Sequence, residues 1–164
     1  MNVLHLGNEV LRQKAVSVPE VTDEIRELIR DMFVTMKEED GIGLAAPQVG
    51  QSLRLFIVKA DDGIDRVFIN PQILQTSTEM CSYEEGCLSI PSVYEDVVRP
   101  ERITVQALNE RGRPFTLEAE GLLARVIQHE NDHLDGILFI DRIDPKTKAK
   151  VEQKFAQRAE KQGL

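Results

Sequence analysis

Between residues 22 and 39 apolar side chains recur at helical spacing. Ile25, Leu28, Ile29, Met32, Phe33 and Met36 form one stripe among charged neighbours. That period predicts an amphipathic helix with its stripe turned toward a core. Thr22 is placed to cap its start, Asp23 and Glu24 suit the first turn, and Gly41 marks its end. Residues 41–50 are too glycine-rich and too small for a helix or a central strand. Short strands are predicted at 53–59, 67–70 and 73–78, the last two separated by Pro71. Residues 103–108 and 114–119 flank the turn-rich stretch 109–113 and predict a hairpin. Helical spacing returns over 120–134, where Leu122, Val126, His129 and His133 share one face and Gly136 suits the end. Asp144-Pro145 opens a third helix, residue 146 to about 162. It carries Lys146, Lys148, Lys150, Lys154, Arg158 and Lys161 against Glu152 and Glu160. No repeat, low-complexity tract or linker interrupts the pattern. The order helix, strands, helix, helix predicts an α+β fold: mostly antiparallel sheets around a central helix, with an N-terminal and a C-terminal helix.

The length of 164 residues suits one domain, 1–164, with a sizeable core. Apolar content of 41% with 29% charged residues reads as a soluble globular protein. A net charge of −8 argues against a surface that grips nucleic acid, and 5% aromatics without Trp argue against a base-stacking platform. The first fifteen residues contain Glu9, Arg12 and Lys14 and no apolar run, so they do not form a secretory signal. No stretch approaches the roughly 18 apolar residues of a membrane span. A cytoplasmic location is expected. The cysteines, Cys81 and Cys87, form neither a disulfide framework nor a C-x-x-C pair. In a reducing compartment a lone cysteine is usually a small buried hydrophobe, the reading given to Cys81.

His129-Glu130-Asn131-Asp132-His133 changes the picture. Residues four apart lie on one helical face, so two imidazoles can reach one ion while Glu130 stands beside them as a base. Only three histidines occur in the chain, and two of them hold this spacing on the inward face. The pattern predicts a metal-activated hydrolase, with the central helix carrying the metal.

Two histidines do not complete a site, and the third ligand decides the class. The H-E-x-x-H-x-x-G-x-x-H pattern fails at its last position, which is Phe139. A Glu roughly eighteen or more residues downstream would make a zinc protease, and Glu152 lies about there, though in a lysine-rich polar helix. Cys87, in Glu84-Glu85-Gly86-Cys87-Leu88-Ser89, is the upstream candidate. Its thiolate suits zinc and Fe(II), and the preceding glycine lets backbone approach the ion. Cys-His-His leaves a fourth position for water, the open arrangement of a catalytic site. A closed structural zinc site would need a fourth protein ligand, for which neither Cys81 nor His5 is well placed.

With these segments assembled, the chain resembles the peptide deformylases along nearly its whole length. Gly41-Ile42-Gly43-Leu44-Ala45-Ala46-Pro47-Gln48 is similar to that family's glycine-alanine-glutamine motif. Glu85-Gly86-Cys87-Leu88-Ser89 is similar to its cysteine motif, and the stretch from Gln128 to Gly136 to its histidine motif. The resemblance implies that Cys87, His129 and His133 hold one divalent ion, most often Fe(II) in this family, with zinc, nickel or cobalt able to substitute. It implies Glu130 as acid/base and Gln48 and the Leu88 N–H as donors to the formyl oxygen. Substrates would be N-formylmethionyl nascent peptides. Ile42, Leu122 and Val126 are candidates for an apolar methionine slot, and Gly43 and Gly86 for letting the substrate backbone lie alongside. Arg125 stands where some relatives are apolar. It is expected at the rim of the slot with its guanidinium snorkelling to water. Tyr94 stands where some relatives carry an arginine near the peptide. Some bacterial relatives dock on the ribosome through such a last helix, which implies weak contact through Lys150, Lys154 and Arg158.

Overall fold

The computed structural model describes the backbone of residues 1–161 and the side chains of residues 1–158. Helix α1 covers Asp23–Glu38, and Thr22 caps it by accepting the Ile25 N–H at 3.3 Å. The residue that turns the chain out of this helix is Asp40, with φ +57°, rather than the expected Gly41. Gly41 is constrained from outside instead: a Cβ there would lie 2.8 Å from Leu88 Cδ1.

A five-stranded antiparallel sheet follows, in the order β1-β2-β3-β6-β7. Its strands are β1 Gly43–Ala45, β2 Leu55–Lys59, β3 Asp65–Thr76, β6 Arg102–Leu108 and β7 Pro114–Glu120. The glycine-rich segment thus supplies a short edge strand, continued by a single 3-10 turn, Ala46–Val49. The two strands expected on either side of Pro71 are one strand. Proline cannot donate to the ladder, so the register jumps between Ile69 and Gln72, with Asn70 at φ +51°. The predicted hairpin is β6–β7, with Ile103 opposite Ala119 and Leu108 opposite Pro114.

Along β2 the residues Leu55, Phe56, Ile57 and Val58 are all buried, because both faces of the sheet are covered. Leu55 and Ile57 pack under Ile29, Met32 and Met36 of α1. Phe56 and Val58 pack with Phe68 and Val105 against Ala124, Val126, Ile127 and Leu134 of the second helix, α2 (Gly121–Leu134). Burial wraps α2 almost all round, from Ala124 to Glu130 and from Asp132 to Leu134. Gly136, φ +74°, follows its end, where a Cβ would collide with the Arg12 carbonyl at 2.5 Å.

A separate hairpin, β4 Met80–Cys87 and β5 Ile90–Pro100, closes over the other side of α2. No strand is expected there from sequence: acidic residues and Pro91 dilute the alternation on which strand assignment rests. Cys81, expected as a core residue, is half-buried on β4. Ile90 and Val97 pack with Leu138, Phe139 and Ile140 and with Val151 of α3, Pro145–Lys161. Asp144 caps α3 by accepting the Thr147 N–H at 2.9 Å. The predicted end of this helix, Gln162, lies outside the described residues, as do the side chains of Glu160 and Lys161. No helix among the described residues is long and apolar enough to cross a membrane.

Candidate metal centre

Helical spacing puts His129 and His133 one turn apart, with ring centroids 5.3 Å from each other. Cys87 reaches them from the end of β4, where the hairpin register breaks between Glu85 and Cys87. On both sides of that irregularity the side chain faces α2: Glu85 reaches His129 and Cys87 reaches His133. Cys87 Sγ lies 3.4 Å from His133 Nε2, and one ligand atom from each of Cys87, His129 and His133 falls within 4.8 Å of the others. Such separations fit an ion bound at about 2.0–2.3 Å by nitrogen and sulfur.

Glu85 decides which nitrogen His129 offers. Its Oε1 lies 2.9 Å from His129 Nδ1, which leaves Nε2 for the centre. Burial opposes the Glu85 charge. Hydrogen bonds from His129 and Arg99, with their positive charges, outweigh it and hold the pKa at about 2. Burial likewise opposes a charge on His129, yet its contacts with Cys87 and Glu85 and the nearby Glu130 raise its pKa well above the usual value. His133 is buried beside those cations without such relief and is pushed well below.

Glu130 is 4% exposed, and burial, reinforced by the charge of Glu85, raises its pKa to about 7 against the pull of His129. Its Oε1 has no hydrogen-bond partner among the described residues, which fits a carboxylate awaiting a water or a substrate proton. Gln48 is buried as well. Its Oε1 accepts the Ala45 N–H at 2.9 Å, and because that group can only donate, Nε2 must face the other way. There it donates to Ser89 Oγ at 3.0 Å and lies 3.5 Å from Cys87 Sγ. Leu88 and Ser89 form the tight connection between β4 and β5. Glu152 is exposed on α3 and takes no part in this cluster.

A family model described as polypeptide deformylase matches residues 1–149. The chain belongs to the polypeptide deformylase family. It is 50% identical to the peptide deformylase of Treponema pallidum (strain Nichols) over 156 residues, 95% of this chain and 96% of that one. The crystal structure of a peptide deformylase from Legionella pneumophila superposes with a TM-score of 0.91 at 41% identity, covering 99% of this chain and 96% of that one. A peptide deformylase from Synechococcus elongatus in complex with actinonin superposes with a TM-score of 0.88 at 45% identity, covering 100% and 86%.

A groove opens beside the cluster, with a volume of about 940 Å³, large enough for several residues of a peptide. Ile42 stands half-exposed at its mouth, Leu122 is partly buried, and Val126 is buried beside Glu130. The glycines serve a purpose the sequence did not disclose. A Cβ on Gly43 would lie 2.5 Å from Glu130 Oε2, and one on Gly86 2.7 Å from the Tyr94 ring. Their missing side chains make room for protein neighbours, the catalytic candidate among them. Arg125 departs from expectation. Its guanidinium turns inward, bonding Glu85 Oε2 at 2.6 Å, the Val97 carbonyl at 2.9 Å and the Cys81 carbonyl at 2.7 Å. A buried carboxylate within reach draws it away from water.

Sequence reasoning gave no role to Glu85, Arg99 or Asp132, which join the candidate metal ligands to the rest of the fold. Arg99 bonds both oxygens of Glu85, at 2.6 and 3.0 Å, and Asp132 at 2.9 Å; Asp132 in turn accepts Arg142 at 2.6 and 2.8 Å. One available signal was Arg99 itself, a charge directly after the apolar pair Val97-Val98.

Proposed function

We propose that this chain removes the N-formyl group from the N-terminal methionine of newly synthesised polypeptides and releases formate. The observation that carries this reading is the convergence of a thiol and two imidazoles beside a buried, unpartnered carboxylate in a peptide-sized groove. Cys87, His129 and His133 would hold one divalent ion: Fe(II) in the cell, with zinc, nickel or cobalt as substitutes for this soft-and-borderline donor set. When bound, the ion supplies Lewis acidity, lowering the pKa of water and polarising the formyl oxygen.

Glu130 accepts the proton of the attacking water and passes it to the amine nitrogen as the formyl C–N bond breaks. Gln48 Nε2, held by Ser89 and Ala45, and the Leu88 N–H donate to the oxygen on which negative charge develops. Ile42, Leu122 and Val126, with the stem of Arg125, line the slot for methionine. The groove runs between edge strand β1 and strand β4, so the substrate backbone can add as a strand along Gly43 and Gly86. Residues 1–164 would act as one catalytic domain, with α3 as its basic extension.

Replacing Glu130 by Gln is expected to keep one metal per chain and to lower formate release from a short N-formylmethionyl peptide by about 100-fold or more. Cys87→Ala should lose the metal, whereas Glu152→Ala should keep it. Wild-type turnover in Glu130→Gln would remove the acid/base assignment. Work on nascent chains would place the protein in the cytoplasm beside the ribosome, reached through the exposed Lys150, Lys154 and Arg158. Val151 between them packs in the core, so truncation would confound that test. Charge reversal of the three should weaken ribosome co-sedimentation without changing peptide turnover, and unchanged co-sedimentation would refute the contact.

A further inference from the structure

Glu85 is gripped by two arginines, and they are anchored differently. Its Oε1 meets His129 Nδ1 at 2.9 Å and Arg99 Nη2 at 3.0 Å; its Oε2 meets Arg99 Nε and Arg125 Nη1, both at 2.6 Å. Arg99 shares its charge with Asp132, which belongs to α2. Arg125 has no second carboxylate among the described residues it contacts. Its remaining donors go to main-chain carbonyls on both strands of the hairpin, Cys81 of β4 and Val97 of β5. The Tyr83 ring covers it, 5.6 Å from Cζ. It stands one turn before His129 on α2.

We propose that Arg125 is a positioning residue for the metal centre. It ties the strand carrying Glu85 and Cys87, and the strand paired with it, to the helix carrying His129 and His133, and gives Glu85 Oε2 a second donor beside Arg99 Nε. Two strand carbonyls set the guanidinium plane, the guanidinium sets the Glu85 carboxylate, and the carboxylate sets the His129 ring. At 6% exposure the arginine cannot exchange these partners for water, so its loss passes to Glu85. The stem of Arg125 also lines the groove beside Leu122 and Val126, so the wall of the slot and the support of the metal ligand are one side chain.

This inference rests on the metal reading given above, and the test separates the two. Ni(II) affinity is measured by competition with a chromophoric chelator, in wild type and Arg125→Met, each with Glu85 intact and with Glu85→Gln. With Glu85 intact, Arg125→Met should weaken Ni(II) binding about tenfold and shift the visible absorption bands of the Co(II)-loaded protein. In the Glu85→Gln background the same substitution should change affinity less than about twofold, because its route to His129 is already broken. An equal loss in both backgrounds overturns the proposal, as does an unchanged affinity accompanied by a lower melting temperature. Should Arg125→Met not fold, Arg125→Lys provides the same cycle, since an ammonium reaches Glu85 but cannot span all three acceptors. A wild-type chain that fails to bind one Ni(II), or a Cys87→Ala chain that binds it equally well, would instead overturn the metal reading itself.

Discussion

Replacing Gly43 by alanine places a methyl group against the proposed base without touching a metal ligand. Its carbon would lie 2.5 Å from Glu130 Oε2 and 2.8 Å from Val126 Cγ1, the first about 0.9 Å inside the 3.4 Å at which ordinary contact begins. Neither side can yield freely. Glu130 is 4% exposed on a helix buried nearly all round, and Gly43 is paired with Val58 in a strand next to α1 and α2. Relief therefore moves the carboxylate by something near the overlap. A misplacement of about 1 Å costs on the order of 100-fold in rate, or about 2.7 kcal/mol in the barrier. Overpacking should also lower stability by about 1–3 kcal/mol. Metal affinity should stay within about twofold, as second contacts of the ligands are untouched. Formate release from a short N-formylmethionyl peptide, normalised to bound metal, measures the first effect, and urea unfolding the second. A folded, metal-loaded Gly43→Ala protein with wild-type kcat would refute the placement of Glu130.

Two further outcomes concern stability. Burial opposes the Asp141 charge, but hydrogen bonds from Arg12, Lys148 and the Leu138 N–H hold its pKa at about 2. With the folded value below the unfolded one, the contribution is present above about pH 4 and lost as pH falls toward 2. Arg12 and Lys148 are each about a third exposed, so solvent screening reduces it to about 1 kcal/mol. Asp141→Asn should lower the unfolding free energy by that amount at pH 7, with the gap to wild type closing below about pH 3; a gap constant over this range would refute the linkage. Phe68→Ala removes a fully buried ring stacked 4.8 Å from Phe56 and should cost about 3–5 kcal/mol in urea unfolding; a loss under about 1 kcal/mol would mean that the layer between sheet and α2 is not close-packed.

Apolar periodicity located the first two helices, Asp144-Pro145 and a run of charges the third, and the turn-rich residues 109–113 the β6–β7 hairpin, because each of these signals is local to its own segment. The histidine pair was legible for the same reason: its geometry is local to one helix. The β4–β5 hairpin was not, since its inward positions hold Glu85 and Arg99, whose burial is tolerable only once each has found the other. Arg125 was misplaced for a related reason. In isolation a guanidinium on a helix belongs in water, and only the folded hairpin offers it a carboxylate and two carbonyls. Gly43 was read as room for the substrate backbone, and the fold adds a second constraint: a Cβ there would strike Glu130, on a helix nearly ninety residues away. Residue order alone was enough for the helix-borne donors, the mostly antiparallel α+β fold and the chemistry these residue types permit. Only the tertiary structure decided how Cys87 meets them and which groups orient the imidazoles, because those depend on charges and close contacts between segments that have no fixed separation until the chain is packed.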